Sequence, residues 1–168
     1  MADLEARVKE LEAKVQELTD REAIRNLRYR YHEYVNEGRF KDIPELFTAD
    51  ADLDFAHLGQ AHGREAIAKF YGAIAGPGPR EGNRPRITFV KQFIHNHTIE
   101  LHGEHGHGVS YLEAKPIYGG EAFLVAARFN DDYVKVNGEW KFKKMALLPY
   151  FMVPLKEGWA QEDRIKMR

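Results

Sequence analysis

Between Ala122 and Met145 two runs of alternating apolar residues meet at Asn137-Gly138, and no other feature narrows the choice of folds as much. Both central residues of a type I′ turn need φ > 0, which Asn and Gly tolerate, so Asn-Gly between such runs is the strongest short-range hairpin signal. The spacing predicts strands over 121–136 and 139–148. Two further β segments, 87–101 and 108–114, precede them across glycine-containing turns. Helices first and antiparallel strands after make an α+β domain, with the helices on one face of a curved sheet.

The helical part opens with Leu4, Val8, Leu11, Val15 and Leu18, spaced 4, 3, 4, 3 among Glu, Lys and Arg. That is an a/d seam of about two heptads, shorter than a sustained coiled coil. Residues 1–18 are therefore read as a helical arm laid on its own domain or on a neighbouring subunit, the expected assembly being a homodimer or homotrimer. Thr19 and Glu22 have capping-box spacing, which predicts a break and a new helix over 20–37. Ile24, Leu27, Tyr31, Tyr34 and Val35 form its apolar stripe, and Gly38 is its natural C′ residue. Asp42 and Pro44 predict a second, short helix through Leu46 and Phe47. Residues 51–55 alternate as a strand, and 63–71 read as a third helix with Ile67 and Phe70 inward. The Gly- and Pro-rich run 76–85 is a loop. Residues 149–159, apolar but broken by Pro149 and Pro154, are expected to drape over the core or a pocket mouth. The polar end, 161–168, is expected to fray.

With 168 residues, 43% of them hydrophobic, the chain suffices for one core, whereas two domains would each be marginal. One domain over 19–150 is expected, between the arm and a tail over 151–168. A net charge of -1 with both signs interspersed gives no pull toward nucleic acid or anionic membrane. The lack of cysteine excludes disulfides, thiolate metal sites and thiol nucleophiles. No long apolar run or signal core is visible, so a cytoplasmic protein is expected. His95, His97, His102, His105 and His107 straddle a turn without helical i, i+4 spacing, so no metal site is expected. The 76–79 run lacks a phosphate-loop pattern, and no serine nucleophile elbow is present. The expected ligand is a small hydrophobic molecule, bound without a cofactor.

The run Asp20-Arg-Glu-Ala-Ile-Arg-Asn-Leu-Arg-Tyr-Arg-Tyr31, then 34–40 and Leu46-Phe47-Thr-Ala-Asp50-Ala51, resembles the opening of SnoaL-like members of the NTF2-like superfamily. Gly63-Arg-Glu-Ala-Ile67, Asn96-His-Thr-Ile-Glu100 and the segment from Arg128 to Phe142 continue the likeness in order. The resemblance implies a cone-shaped domain with three helices on the concave face of an antiparallel sheet, enclosing one pocket. It also implies a range of activities, among them dehydratases, cyclases, isomerases, dehydrochlorinases, formaldehyde-losing lyases and pure binding modules. Relatives of the dehydratase sort place an aspartate at the end of the first long helix and a histidine on the first long strand. Asn36 and Gln92 stand at those places here. Neither amide titrates, so at this alignment the proton-abstracting pair is missing, whereas a strand slip of one to three residues would bring Lys91 or His95 to the histidine's place.

Candidate catalytic residues are therefore Tyr31 as acid or oxyanion donor, Lys91 as a base if it is buried, and Asn36 with Gln92 as amides that orient the substrate. Candidate binding residues are Tyr34, His95, Tyr111, Phe129 and Lys144. Lys144 shares strand parity with Trp140 and Phe142, which would make it an inward cation for a phenolate or carboxylate. Asp131 falls on the Phe129 face, although the Asp131-Asp132 pair is equally compatible with a bulge or a solvated edge. The expected reaction is a lyase step, dehydration or retro-aldol C–C cleavage of a hydroxylated, aromatic compound. The alternatives are an isomerase or cyclase of polycyclic substrates, a binding or assembly module, and a subunit of an oxygenase.

Overall fold

A computed structural model describes residues 2–75 and 85–167. All but the last residue of the loop expected over 76–85 lies outside them.

Helix α1 runs without a break from Ala2 to Asn36. The Thr19 hydroxyl does not cap a new helix but donates to the Val15 carbonyl one turn back (2.8 Å), which satisfies it while the helix continues. Asp20 follows as the first buried position, accepting hydrogen bonds from the Trp140 indole (2.8 Å) and from Lys135 (2.7 Å). The arm and the domain helix are thus one rod. Gly38, at φ 72°, ends it as expected. Its N–H donates to Val35 and that of Arg39 to Tyr34 (3.2 and 2.7 Å), the Schellman pattern that only a left-handed residue permits.

The expected short helix at 42–47 is only a 3-10 turn, Ile43–Leu46, because Phe47 already begins a strand. Among the described residues two α-helices, not three, therefore accompany the sheet: α1 and α2 (Arg64–Ile74). The strands are β1 (Phe47–Asp54), β2 (Gln60–His62), β3 (Ile87–His102), β4 (His105–Tyr118), β5 (Glu121–Val136) and β6 (Glu139–Pro154). They form one sheet in the order β2-β1-β6-β5-β4-β3. Its β1–β6 pair is parallel, so the curved sheet is mixed where an antiparallel one was expected. The β5–β6 hairpin closes on Asn137 (φ 51°) and Gly138 (φ 84°), as its residues require.

The core lies between α1 and the inner face of the sheet. Ile24, Leu27, Tyr31 and Val35 meet Leu112, Phe129, Phe142 and Met145 there. Gly108 on β4 is needed where side chains of both flanking strands fold over it, since a Cβ at that position would stand 2.8 Å from the Tyr133 ring and 2.9 Å from His97. The chain end is seated rather than frayed. The Met152 N–H donates to the Arg164 carbonyl (2.7 Å) and the Lys166 N–H to Met152 (2.8 Å), and Met167 is buried against the core.

Candidate active site

The sheet and helices enclose a cavity of about 60 Å³ whose walls are almost wholly apolar. Val35, Phe55, Leu112, Leu147, Met152 and Met167 are among them. Its polar groups are the hydroxyls of Tyr31 and Tyr71 and the side chain of Gln92. The Tyr71 hydroxyl donates to that of Tyr31 (3.1 Å), which leaves the Tyr31 proton available to a guest in the cavity. Burial pushes the Tyr31 phenol up to about 12, against the lowering pull of Tyr71 and Arg28. Both phenols therefore stay protonated near neutral pH and act as donors.

Gln92 faces the cavity on β3, and its Oε1 accepts from His32 Nδ1 (2.8 Å). An amide oxygen accepts only from N–H, so this bond fixes the tautomer and places the imidazole lone pair on Nε2. Nε2 is itself buried without a partner. Burial first, then the Arg28 charge, lowers the His32 pKa to about 3, so the ring is neutral. Asn36 does something else. Its Oδ1 accepts from the Gln92 N–H (2.6 Å) and its Nδ2 donates to the Gln92 carbonyl (2.9 Å), so both halves of the amide clamp the end of α1 to β3. Asn36, held on the β3 backbone in this way, does not line the cavity, and of the two amides Gln92 alone does.

Several sequence-based expectations fail on side-chain direction. Lys91 is exposed on the outer face of β3 and donates to the Asn36 carbonyl, capping the helix end, so it is not a buried base. His95 is exposed as well, on the same outward face as Lys91 and Phe93, and the extra residue at Asn96 (φ 40°) shifts the β3–β4 register beyond it so that His97 turns inward. Tyr111 is 41% exposed, stacked on Tyr150 outside the sheet. Lys144 points outward too: a bulge at Lys143 breaks the parity it was assumed to share with Phe142, and Met145 and Leu147 turn inward instead. Lys144 lines an outer groove with His107 and Asp132, which pair at 2.9 Å in solvent. Tyr34 packs against the core beneath the Arg39 guanidinium (4.2 Å), and Phe129 is fully buried beneath that of Arg28 (4.3 Å). Neither lines the cavity. Of the nine candidates, only Tyr31 and Gln92 do.

Three further buried groups stand beside the site, of which the sequence reading singled out only Asp131, on the Phe129 face. Arg28 and Asp131, both fully buried, form an ion pair in the inner layer, with the Tyr133 hydroxyl donating to Asp131 (2.9 Å). Burial works against the Arg28 charge, but Asp131 outweighs it and raises the guanidinium pKa further. His32 is the third. Arg28, His32 and Asn36 recur every four residues along the edge of the apolar stripe, a signal that periodicity could have supplied. Among the described residues no three His, Asp or Glu side chains gather as a metal site.

The sequence profile of SnoaL-like domains matches residues 16–146. The chain belongs to the SnoaL-like domain family. No curated protein sequence matches it significantly. Among solved structures, this SnoaL-like chain is similar to a candidate scytalone dehydratase from Novosphingobium aromaticivorans (22% identity, TM-score 0.69, 82% of this chain and 89% of that one). It is also similar to the hexachlorocyclohexane dehydrochlorinase LinA-type3 from Novosphingobium barchaimii (19%, 0.74, 84% and 94%) and to a type 2 LinA (19%, 0.75, 84% and 93%). At these identities the likeness establishes the shared fold of the SnoaL-like body.

Proposed function

We propose that this SnoaL-like protein is a cofactor-independent lyase for a small hydrophobic, hydroxylated aromatic compound, eliminating water or cleaving a C–C bond in a retro-aldol sense. The observation that carries the reading is the donor chain from Tyr71 through Tyr31 into an apolar cavity that Gln92 also faces. The names borne by the similar structures, a dehydratase and dehydrochlorinases, support elimination as the reaction type.

In dehydration Tyr31 donates to the departing hydroxyl, and in the retro-aldol step to the carbonyl oxygen that becomes an enolate. A donor prealigned in a dry site contributes on the order of 10²–10³ in rate. Gln92 holds a second substrate oxygen. His32, neutral and with its Nε2 free, is the base nearest this polar end, but a pKa of about 3 makes it a weak one. A base this weak favours a step in which the C–O bond loosens before the C–H proton leaves, as a phenol-activated substrate allows.

A cavity of about 60 Å³ is far below the roughly 150 Å³ of an apolar cavity that holds benzene. Binding therefore requires Met152 or Met167 to give way. The test is turnover of a panel of hydroxylated phenolic compounds by the native chain and by Tyr31→Phe. A drop in kcat of about a hundredfold with substrate binding kept within a few-fold is expected. Turnover in Tyr31→Phe within a factor of about ten of native excludes the donor role. The second reading, a binding module, is favoured by the amides at both dyad positions. It predicts thermal stabilisation by the same compounds with no product formed.

A further inference from the structure

Every residue from Asp3 to Thr19 is solvent-exposed, so this half of α1 projects about 25 Å beyond the body with nothing packed on any face. A lone helix of that length is marginal in water, and this one carries Leu4 (67% exposed), Val8, Leu11, Val15 and Leu18 on one stripe. The 4, 3, 4, 3 spacing assigns leucine to every d position and valine to both a positions. β-Branched residues at a with leucine at d favour two parallel strands over three or four.

The flanking charges choose the same arrangement. The g positions are Arg7, Lys14 and Arg21, all basic, and the first two e positions are Glu5 and Glu12, both acidic. In a parallel pair, g of one helix faces e of the next heptad on the other, so Arg7 meets Glu12 of the second copy twice over by symmetry. In an antiparallel pair g faces g and e faces e, which sets base against base and acid against acid. Lys14 is tied to Glu10 within its own helix, whereas Arg7 and Glu12 have no partner within the chain among the described residues. The stripe then stops, because the next a and d positions are Glu22 and Arg25, which pair with each other at the surface (3.2 Å).

We infer that residues 4–18 are a self-complementary docking surface, and that two copies of this chain join through it as a parallel two-stranded coil. The two bodies then lie side by side at the C-terminal end of the coil. This is independent of any activity in the cavity.

The full chain should sediment as a dimer at micromolar concentration, and Val8→Asp/Val15→Asp as a monomer whose cavity residues are untouched. Arg7→Glu alone should weaken the dimer roughly tenfold, and Arg7→Glu/Glu12→Lys should restore it. Because the chain has no cysteine, orientation is read by single replacements. Leu4→Cys should form an inter-chain disulfide with itself under mild oxidation. A mixture of Leu4→Cys and Leu18→Cys should give no hetero-disulfide, since parallel strands hold those positions about 21 Å apart. A monomeric native chain, a trimer, a dimer that survives Val8→Asp/Val15→Asp, or a Leu4–Leu18 cross-link would each overturn the proposal.

Discussion

Arg28 and Asp131 sit in a layer with no water to fall back on, so each is tolerable only because the other is present. Removing one leaves a buried charge alone, which costs about 3–5 kcal/mol, whereas replacing both by apolar residues of similar bulk is often close to neutral. Arg28→Met is therefore expected to lower the urea-denaturation stability by about 3–5 kcal/mol. Arg28→Met/Asp131→Leu should be more stable than either single variant. His32 gives a second test. Its folded-state pKa, about 3, lies below the ordinary 6.5, so the unfolded chain binds the extra proton. Its contribution is whole above about pH 6.5 and is lost as pH falls toward 3, with about 2 kcal/mol gone at pH 5. His97, lowered to about 4 by burial and then by Arg28, acts in the same direction. Urea midpoints at pH 7 and 5 should show this loss, and His32→Leu, though less stable at pH 7, should lose about 2 kcal/mol less between the two.

At the level of elements, the hairpin, the stripe of α1 and the four long strands were legible, because local rules decide them: Asn-Gly chemistry, the 3.6-residue period, alternation and the Gly38 stop. What was not legible were the places where a strand takes an extra residue, two of which decide site candidates. Single-residue bulges at Asn96 and Lys143 exchange the faces of everything beyond them, and they explain why His97 turns in although His95 looks outward, and why Lys144 looks outward while Met145 looks in. A bulge leaves a faint trace in sequence, since it is chosen by the neighbouring strand's register. The first can be tested. Asn96 holds φ 40°, which asparagine tolerates and a β-branched residue does not. Asn96→Val is expected to destabilise by about 1–2 kcal/mol in chemical denaturation, and Asn96→Gly by less than about 0.5 kcal/mol. The capping-box reading of Thr19 and Glu22 failed for a related reason, since the same hydroxyl is equally content bonded one turn back inside a helix.

Across the whole molecule, the SnoaL-like body was visible in the order of its segments, whereas the site was visible only where one helix face decided it, at Tyr31, and on one strand residue, Gln92. The network around them depends on which of several buried polar groups α1 brings opposite the sheet, and on a tail whose polar composition gives no hint that Met167 is buried. Met167→Ala should widen the hollow, and small phenols should then bind several-fold more tightly in a fluorescence titration, because less must be displaced to admit them.

The parallel bridge that fixes Ile165 beside Met152 makes residues 165–167 part of the cavity's own wall. Under the proposed function, selectivity is thereby written partly in a stretch beyond the residues that match the SnoaL-like profile. Exchanging that short ending between otherwise similar bodies would redraw which molecules fit, a modular route to new substrates that leaves the framework alone.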